Sequence, residues 1–237
     1  MKTTVYRRMR LLCFKHVPFE GPAAFSEWAA QRGHELTSVE VYAGEALPGP
    51  EDYDLLLVMG GPMNIYEEAE HPWLAAEKAA IRAAIKTGKY LVGVCLGGQL
   101  IADQLGGPVS RGDASEIGWW QVYRQSDCPP GLPLPEELRV YHWHGDCFQL
   151  PPGARSLLAS EACALQAFLF EDRILGFQCH LETTRESMEA LIAACGDEIG
   201  SGPFVQDVAT MQAEPESTYQ RMQGVLFELL DTLTRDA

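Results

Sequence analysis

Lys89-Tyr90-Leu91-Val92-Gly93-Val94-Cys95-Leu96-Gly97-Gly98-Gln99 joins an apolar run to a helical pattern through a single cysteine. Lys89 to Val94 reads as a buried strand and Leu96 to Leu105 as a helix, so the chain must turn sharply at Cys95. A cysteine at the apex of such a turn has its sulfur pushed outward at a helix N-terminus. Free N–H groups and the helix dipole there favour the thiolate and stabilise nearby negative charge. Glycines at 93, 97 and 98 suit an elbow in which neighbouring side chains would collide. Most free cysteines are buried structural residues; the flanking glycines single this one out.

Outward from the elbow, short apolar runs alternate with helical patterns. Met9 to Val17 predicts a strand, Ala23 to Arg32 a helix, Glu35 to Tyr42 a second strand, and Tyr53 to Met59 an apolar strand running into Gly60-Gly61-Pro62. Pro72 to Thr87 has helical spacing, with Trp73, Leu74, Ala80, Ile81 and Ala84 near one face and Gly88 as its stop. This rhythm predicts an α/β fold: a three-layer, doubly wound, mostly parallel sheet of flavodoxin-like kind with helices on both faces. Ligands in such sheets bind at the carboxyl ends of strands. Gly60-Gly61 and Cys95 both fall at such ends.

From Pro108 to about Phe177 the pattern changes to short strands with turns, a small β subsheet: Gly118 to Tyr123, Leu138 to Trp143, Ser156 to Ser160, Leu165 to Phe170 and Ile174 to Gln178. Asp127 to Glu137, with four prolines, reads as a surface connection. Glu216 to Arg235 is an amphipathic helix with Tyr219, Met222, Leu226, Leu229, Leu230 and Leu233 in its apolar stripe. Residues 1–8 are expected to be a loose extension, 9–200 one domain, and 201–237 a helical tail packed on it. A homodimer contact through the stripe is the alternative.

A net charge of −15 over 237 residues, with no compensating basic run, argues against nucleic acid and anionic membrane surfaces as partners. No apolar stretch has the length of a membrane span or signal peptide. Seven cysteines are scattered singly with no CxxC pair, which fits a reducing, cytoplasmic location better than a disulfide framework.

A cysteine nucleophile needs a base, and the base needs a group that orients it. His180 ends the apolar strand Ile174-Leu175-Gly176-Phe177-Gln178-Cys179, and Glu182 two residues later can reach back to one ring nitrogen. The backbone N–H of Leu96, just after the nucleophile, and that of Gly61 are candidate oxyanion donors. A serine-type α/β-hydrolase would place its acid between nucleophile and histidine; here the acid follows the histidine. His142-Trp143-His144 puts two imidazoles on one strand face, yet no third ligand is evident and no metal is expected. Arg111, Asp113 and Glu116 are expected in a loop near the mouth, and Cys179 is expected to be packing. Trp119, Trp120 and Trp143 either wall a pocket or fill core.

Gly60-Gly61-Pro62, the Cys95 elbow, His144-Gly145-Asp146 and Phe177-Gln178-Cys179-His180-Leu181-Glu182 occur in that order. Together they resemble the class I, Cys-His-Glu triad glutamine amidotransferases, over roughly residues 50 to 185. The free-standing branch that is similar to the glutaminase domain of GMP synthase, and that includes γ-glutamyl peptidases, is the nearest in pattern. The resemblance implies that Cys95 attacks the γ-carbonyl of glutamine to form a thioester, releasing ammonia, with His180 as base and acid and Glu182 orienting it. It implies oxyanion donors at Gly61 and Leu96, and substrate contacts from Gln99, Gly145 and Asp146, without a cofactor. His-Leu-Glu stands where proline is commoner between the pair. Three readings follow. The first is a glutaminase serving a separate synthetase subunit. The second is a solitary hydrolase of γ-glutamyl peptides or glutathione conjugates. The third is a silent regulatory subunit, which the intact Cys-His-Glu set disfavours.

Overall fold

Alternation along the central strands sorts the core into two layers. In the computed structural model, which describes residues 7–235, Leu11 and Cys13 of β1 (Arg10–Lys15) join one apolar cluster while Leu12 and Phe14 join the other. The same split separates Leu55 and Leu57 from Leu56 and Val58 in β3 (Leu55–Val58), and Val92 from Leu91 in β4 (Tyr90–Val94). Strands buried on both faces therefore read as unbroken apolar runs. One cluster is covered by α1 (Ala24–Arg32), α4 (Arg185–Cys195) and α6 (Glu216–Leu233), the other by α2 (Trp73–Lys86) and α3 (Leu96–Gln104).

The strands form one nine-stranded sheet in the order β2-β1-β3-β4-β9-β8-β7-β5-β6. Neighbours from β2 (Glu35–Glu40) through β9 (Ile174–Phe177) are parallel. Beyond β9 the pairing is antiparallel through β8 (Ala167–Phe170), β7 (Arg155–Ala159), β5 (Val109–Arg124) and β6 (Glu137–Phe148). The short strands expected as a subsheet thus continue the main sheet. Because β1 lies between β2 and β3, the winding reverses beside β1, and the crevice opens at the carboxyl ends of β1, β3, β4 and β9.

Three local readings need correction. β5 is far longer than Gly118 to Tyr123, so Arg111, Asp113 and Glu116 lie on an irregular strand whose register shifts between Arg111 and Glu116, not in a loop. Helix α4 was not foreseen, although Thr184 and Ser187 form a reciprocal capping box and Met188, Leu191 and Cys195 are spaced for one buried face. A short helix, α5 (Val208–Gln212), was missed as well, and it puts Met211 into the core. The tail stripe of α6 is buried in the same cluster as the sheet, with Tyr219 edge-on to Trp119 at 4.7 Å between ring centroids. Most of the extension expected over 1–8 lies outside the described residues.

Candidate active site

The elbow is held by backbone geometry that the sequence imposes. Cys95 adopts φ 52° and ψ −112°, a conformation L-residues rarely take. Its N–H donates to Phe177 O at 2.8 Å, and Gly97 N–H donates to Met59 O at 3.0 Å, which presses the start of α3 between β3 and β9. A Cβ on Gly97 would run into the carbonyl of Val58, and one on Gly98 into that of Phe177. Leu96 is the first residue of α3, so its N–H has no acceptor within the helix. Gly61 lies beside it: a Cβ there would sit 3.1 Å from Leu96 Cδ2.

His180 hangs from the end of β9, its N–H donating to Tyr141 O at 2.8 Å. Nδ1 and Glu182 Oε1 are 2.8 Å apart, both side chains nearly sealed from solvent. The other nitrogen, Nε2, is buried and lies on the Cys95 side of the ring. Burial alone would push this imidazole down, but the Glu182 carboxylate and the Cys95 sulfur outweigh it and hold the group well above its ordinary pKa. The Cys95 thiol reaches Trp143 O at 3.7 Å and accepts from Gln178 Nε2 at 3.8 Å.

Gln99 is one turn along α3 from Cys95. Its Nε2 donates to Gln178 Oε1 at 3.2 Å and to Asp146 O at 3.4 Å. The Asp146 carboxylate accepts from Asn64 Nδ2 at 2.8 Å and faces Arg111 Nη1 at 3.5 Å. Arg111 lies directly over Gly145, where any Cβ would strike its guanidinium. The sequence-predicted residues Cys95, His180, Gly61, Gln99, Gly145 and Asp146 all line one cavity of about 280 Å³, with Glu182 behind His180 and Leu96 at the elbow.

Other predicted residues separate. Only Trp143 of the three tryptophans lines the cavity; Trp119 is core, and Trp120 packs against Phe204 at 5.6 Å. Cys179 is fully buried with its thiol pushed up by burial, as packing requires. The expectation of only two metal-capable side chains is corrected. Cross-strand register sets Glu116 opposite His144, and Glu116, His142 and His144 bring ligand atoms within 4.8 Å of one another. Within this group His144 Nε2 lies 3.2 Å from Glu116 Oε2, and Gln166 Nε2 donates to that same oxygen at 2.6 Å. Cys147 and Cys163, single in the sequence, meet with their sulfurs 2.8 Å apart.

Sequence reasoning missed His16 and Glu20, which follow β1. His16 Nδ1 donates to Gly60 O at 2.9 Å and Nε2 to Glu77 Oε1 at 2.8 Å, bracing the Gly60-Gly61 turn. Glu20 is half-buried and lines the cavity with Cys95 and His180. Neither stands in a motif; only the adjacency of β1 and β3 brings them to the site.

A cysteine on a left-handed elbow at a helix N-terminus and a buried His-Glu pair thus meet at one crevice at the carboxyl ends of the parallel strands. Residues 23–196 match the family model Glutamine amidotransferase class-I, and the chain belongs to that family. It is 35% identical over 239 residues to the glutamine amidotransferase-like protein YfeJ of Salmonella typhimurium, covering 95% of this chain and 98% of that one. A GMP synthase of Thermomicrobium roseum is 30% identical over 176 residues, which span 70% of this chain and 32% of that enzyme. The fold superimposes on a glutamine amidotransferase of Thermotoga maritima with a TM-score of 0.88, at 31% identity and covering 97% and 99% of the two chains.

Proposed function

We propose that this protein hydrolyses γ-glutamyl amides through a thioester on Cys95. The observation that carries the reading is the buried contact of Glu182 with Nδ1 of His180, beside a ring that feels the Cys95 sulfur at the elbow. Cys95 Sγ attacks the γ-carbonyl carbon, and the N–H groups of Gly61 and Leu96 receive the oxyanion. Collapse breaks the C–N bond, and His180 passes its proton to the departing nitrogen. His180 then takes a proton from water, whose oxygen displaces the thiolate and releases glutamate. With glutamine the leaving group is ammonia.

Asp146, Arg111 and Gln99 suit the charged α-amino and α-carboxylate groups of a glutamyl moiety, because both signs are present at one end of the cavity. A glutaminase that feeds a separate synthetase is supported by likeness to the glutamine-hydrolysing GMP synthase subunit of Thermococcus kodakarensis. The two are 38% identical over 94 residues, which span 39% of this chain and 50% of that one. A solitary γ-glutamyl hydrolase is favoured by the cavity itself, which continues past the elbow to Leu191, Cys195 and Glu198. Incubation with an electrophilic glutamine analogue followed by peptide mass spectrometry tests the mechanism. Labelling should fall on Cys95 and vanish in Cys95→Ala; labelling of another cysteine overturns it. Strong activation of glutaminase activity by an added synthetase, against unaided turnover of γ-glutamyl amides, separates the two settings.

A further inference from the structure

The cavity has two chemically distinct ends. Asp146, Asn64, Gln99 and Arg111 are joined by hydrogen bonds and an ion pair at one end, where a glutamyl group finds both charges it needs. The end towards α4 is different. Glu20 and Glu198 bound it, Ile117, Trp143 and Leu191 give it apolar walls, and no lysine or arginine lines it among the described residues. Among those residues the carboxylates of Glu20 and Glu198 make no hydrogen bond or salt bridge. Both act electrostatically on the thiol of Cys195, which places them on the same side of the cavity. Glu20 also faces His180, the group that hands a proton to the departing amine.

Ammonia needs no such wall. A leaving group that ends in a carboxylate, as every γ-glutamyl amino acid or peptide does, would be repelled by it. Resting on the thioester reading above, we propose that this end is a leaving-group subsite for cationic amines, and that the preferred substrates are γ-glutamyl amides of short aliphatic diamines. The methylene chain lies along Trp143 and Leu191 while the distal ammonium meets Glu20 and Glu198. The acyl chemistry is unchanged: the C–N bond breaks, the proximal nitrogen takes the His180 proton, and the diamine leaves with its distal charge retained.

Three synthetic amides matched in length test this: γ-glutamyl-1,4-diaminobutane, its neutral isostere γ-glutamyl-n-pentylamide, and the anionic γ-glutamyl-4-aminobutyrate. A charge-assisted contact predicts kcat/KM at least about tenfold higher for the diamine amide than for the pentylamide, with the anionic compound slowest. Glu20→Gln and Glu198→Gln should each shrink the diamine-to-pentylamide ratio; Glu198 is exposed, so that variant stays informative where Glu20→Gln affects folding. Turnover of the pentylamide with a ratio near one, or a ratio that survives in the double variant, overturns the subsite alone. Failure to turn over any γ-glutamyl compound, glutamine included, with no acylation of Cys95, removes the hydrolase reading and the subsite with it.

Discussion

His16 and Glu77 form an ion pair sealed entirely from solvent, Nε2 to Oε1 at 2.8 Å, between the end of β1 and the middle of α2. The other ring nitrogen reaches Gly60 O at 2.9 Å. Two acceptors facing the two ring nitrogens favour the doubly protonated ring. Burial opposes that charge, but Glu77 and the Gly60 carbonyl override it and raise the pKa. The pair thus fixes the turn that presents the Gly61 N–H.

His16→Gln should leave the Glu77 carboxylate buried without a counter-charge and cost roughly 3–5 kcal/mol of stability. Because the folded pKa is raised, the stabilisation from this pair is complete below the unfolded histidine value of about 6.5 and declines as pH rises through the folded value. Urea denaturation at several pH values between about 6 and 9 should show that alkaline decline in the wild type and its loss in the variant.

His142 should dominate on the acid side with the opposite sign. Burial, reinforced by His144 and His180, pushes its pKa down to about 3 against the pull of Glu116. Between about pH 6.5 and that value the unfolded chain binds a proton that the folded chain refuses, so stability falls as pH falls. His142→Met removes the titrating group. Its denaturation midpoints from about pH 6.5 to 4 should vary less steeply than the wild type's, and an unchanged slope would mean the ring is not the acid-sensitive group.

Glu182→Gln should leave the fold intact and lower kcat/KM on a γ-glutamyl amide by about 10²–10⁴-fold. Glu182 is a principal cause of the raised His180 pKa, so its neutralisation must lower that pKa. The imidazolium that protonates the leaving amine is then lost at lower pH, and the alkaline limb of the rate profile moves down. A limb that stays in place would assign the raised pKa to another group.

Two glycines make a matched pair for the packing argument. A Cβ at Gly97 meets the Val58 carbonyl, with backbone on both sides of the conflict, so Gly97→Ala should destabilise by at least about 1–3 kcal/mol. Gly224 lies on the exposed face of α6 with nothing near its Cβ position, and Gly224→Ala should stabilise by about 0.5–1 kcal/mol. Thermal melts of the two variants should move in opposite directions.

The parallel half of the fold and the elbow were legible because their signals are local. Strands covered on both faces are continuous apolar runs, and tight backbone approach leaves glycines at 93, 97 and 98. The start of β5 hid because an irregular strand end carrying Arg111, Gly112 and Asp113 has the composition of a loop. Helix α4 announced itself only through its cap and three apolar positions. His16, Glu20 and Glu116 hid for a different reason: strand order or cross-strand register, not sequence proximity, delivers each to its partners.

The left-handed backbone of Cys95 sets reactivity against stability at a single residue. A side chain held at φ 52° and ψ −112° stores roughly 1–3 kcal/mol that only glycine would release. Cys95→Gly should therefore melt at a higher temperature than Cys95→Ala, and above the wild type, while being chemically inert. Such a variant is a hardened bait: an unreactive but otherwise complete cavity from which uncleaved metabolites, retained through purification, can be eluted and weighed.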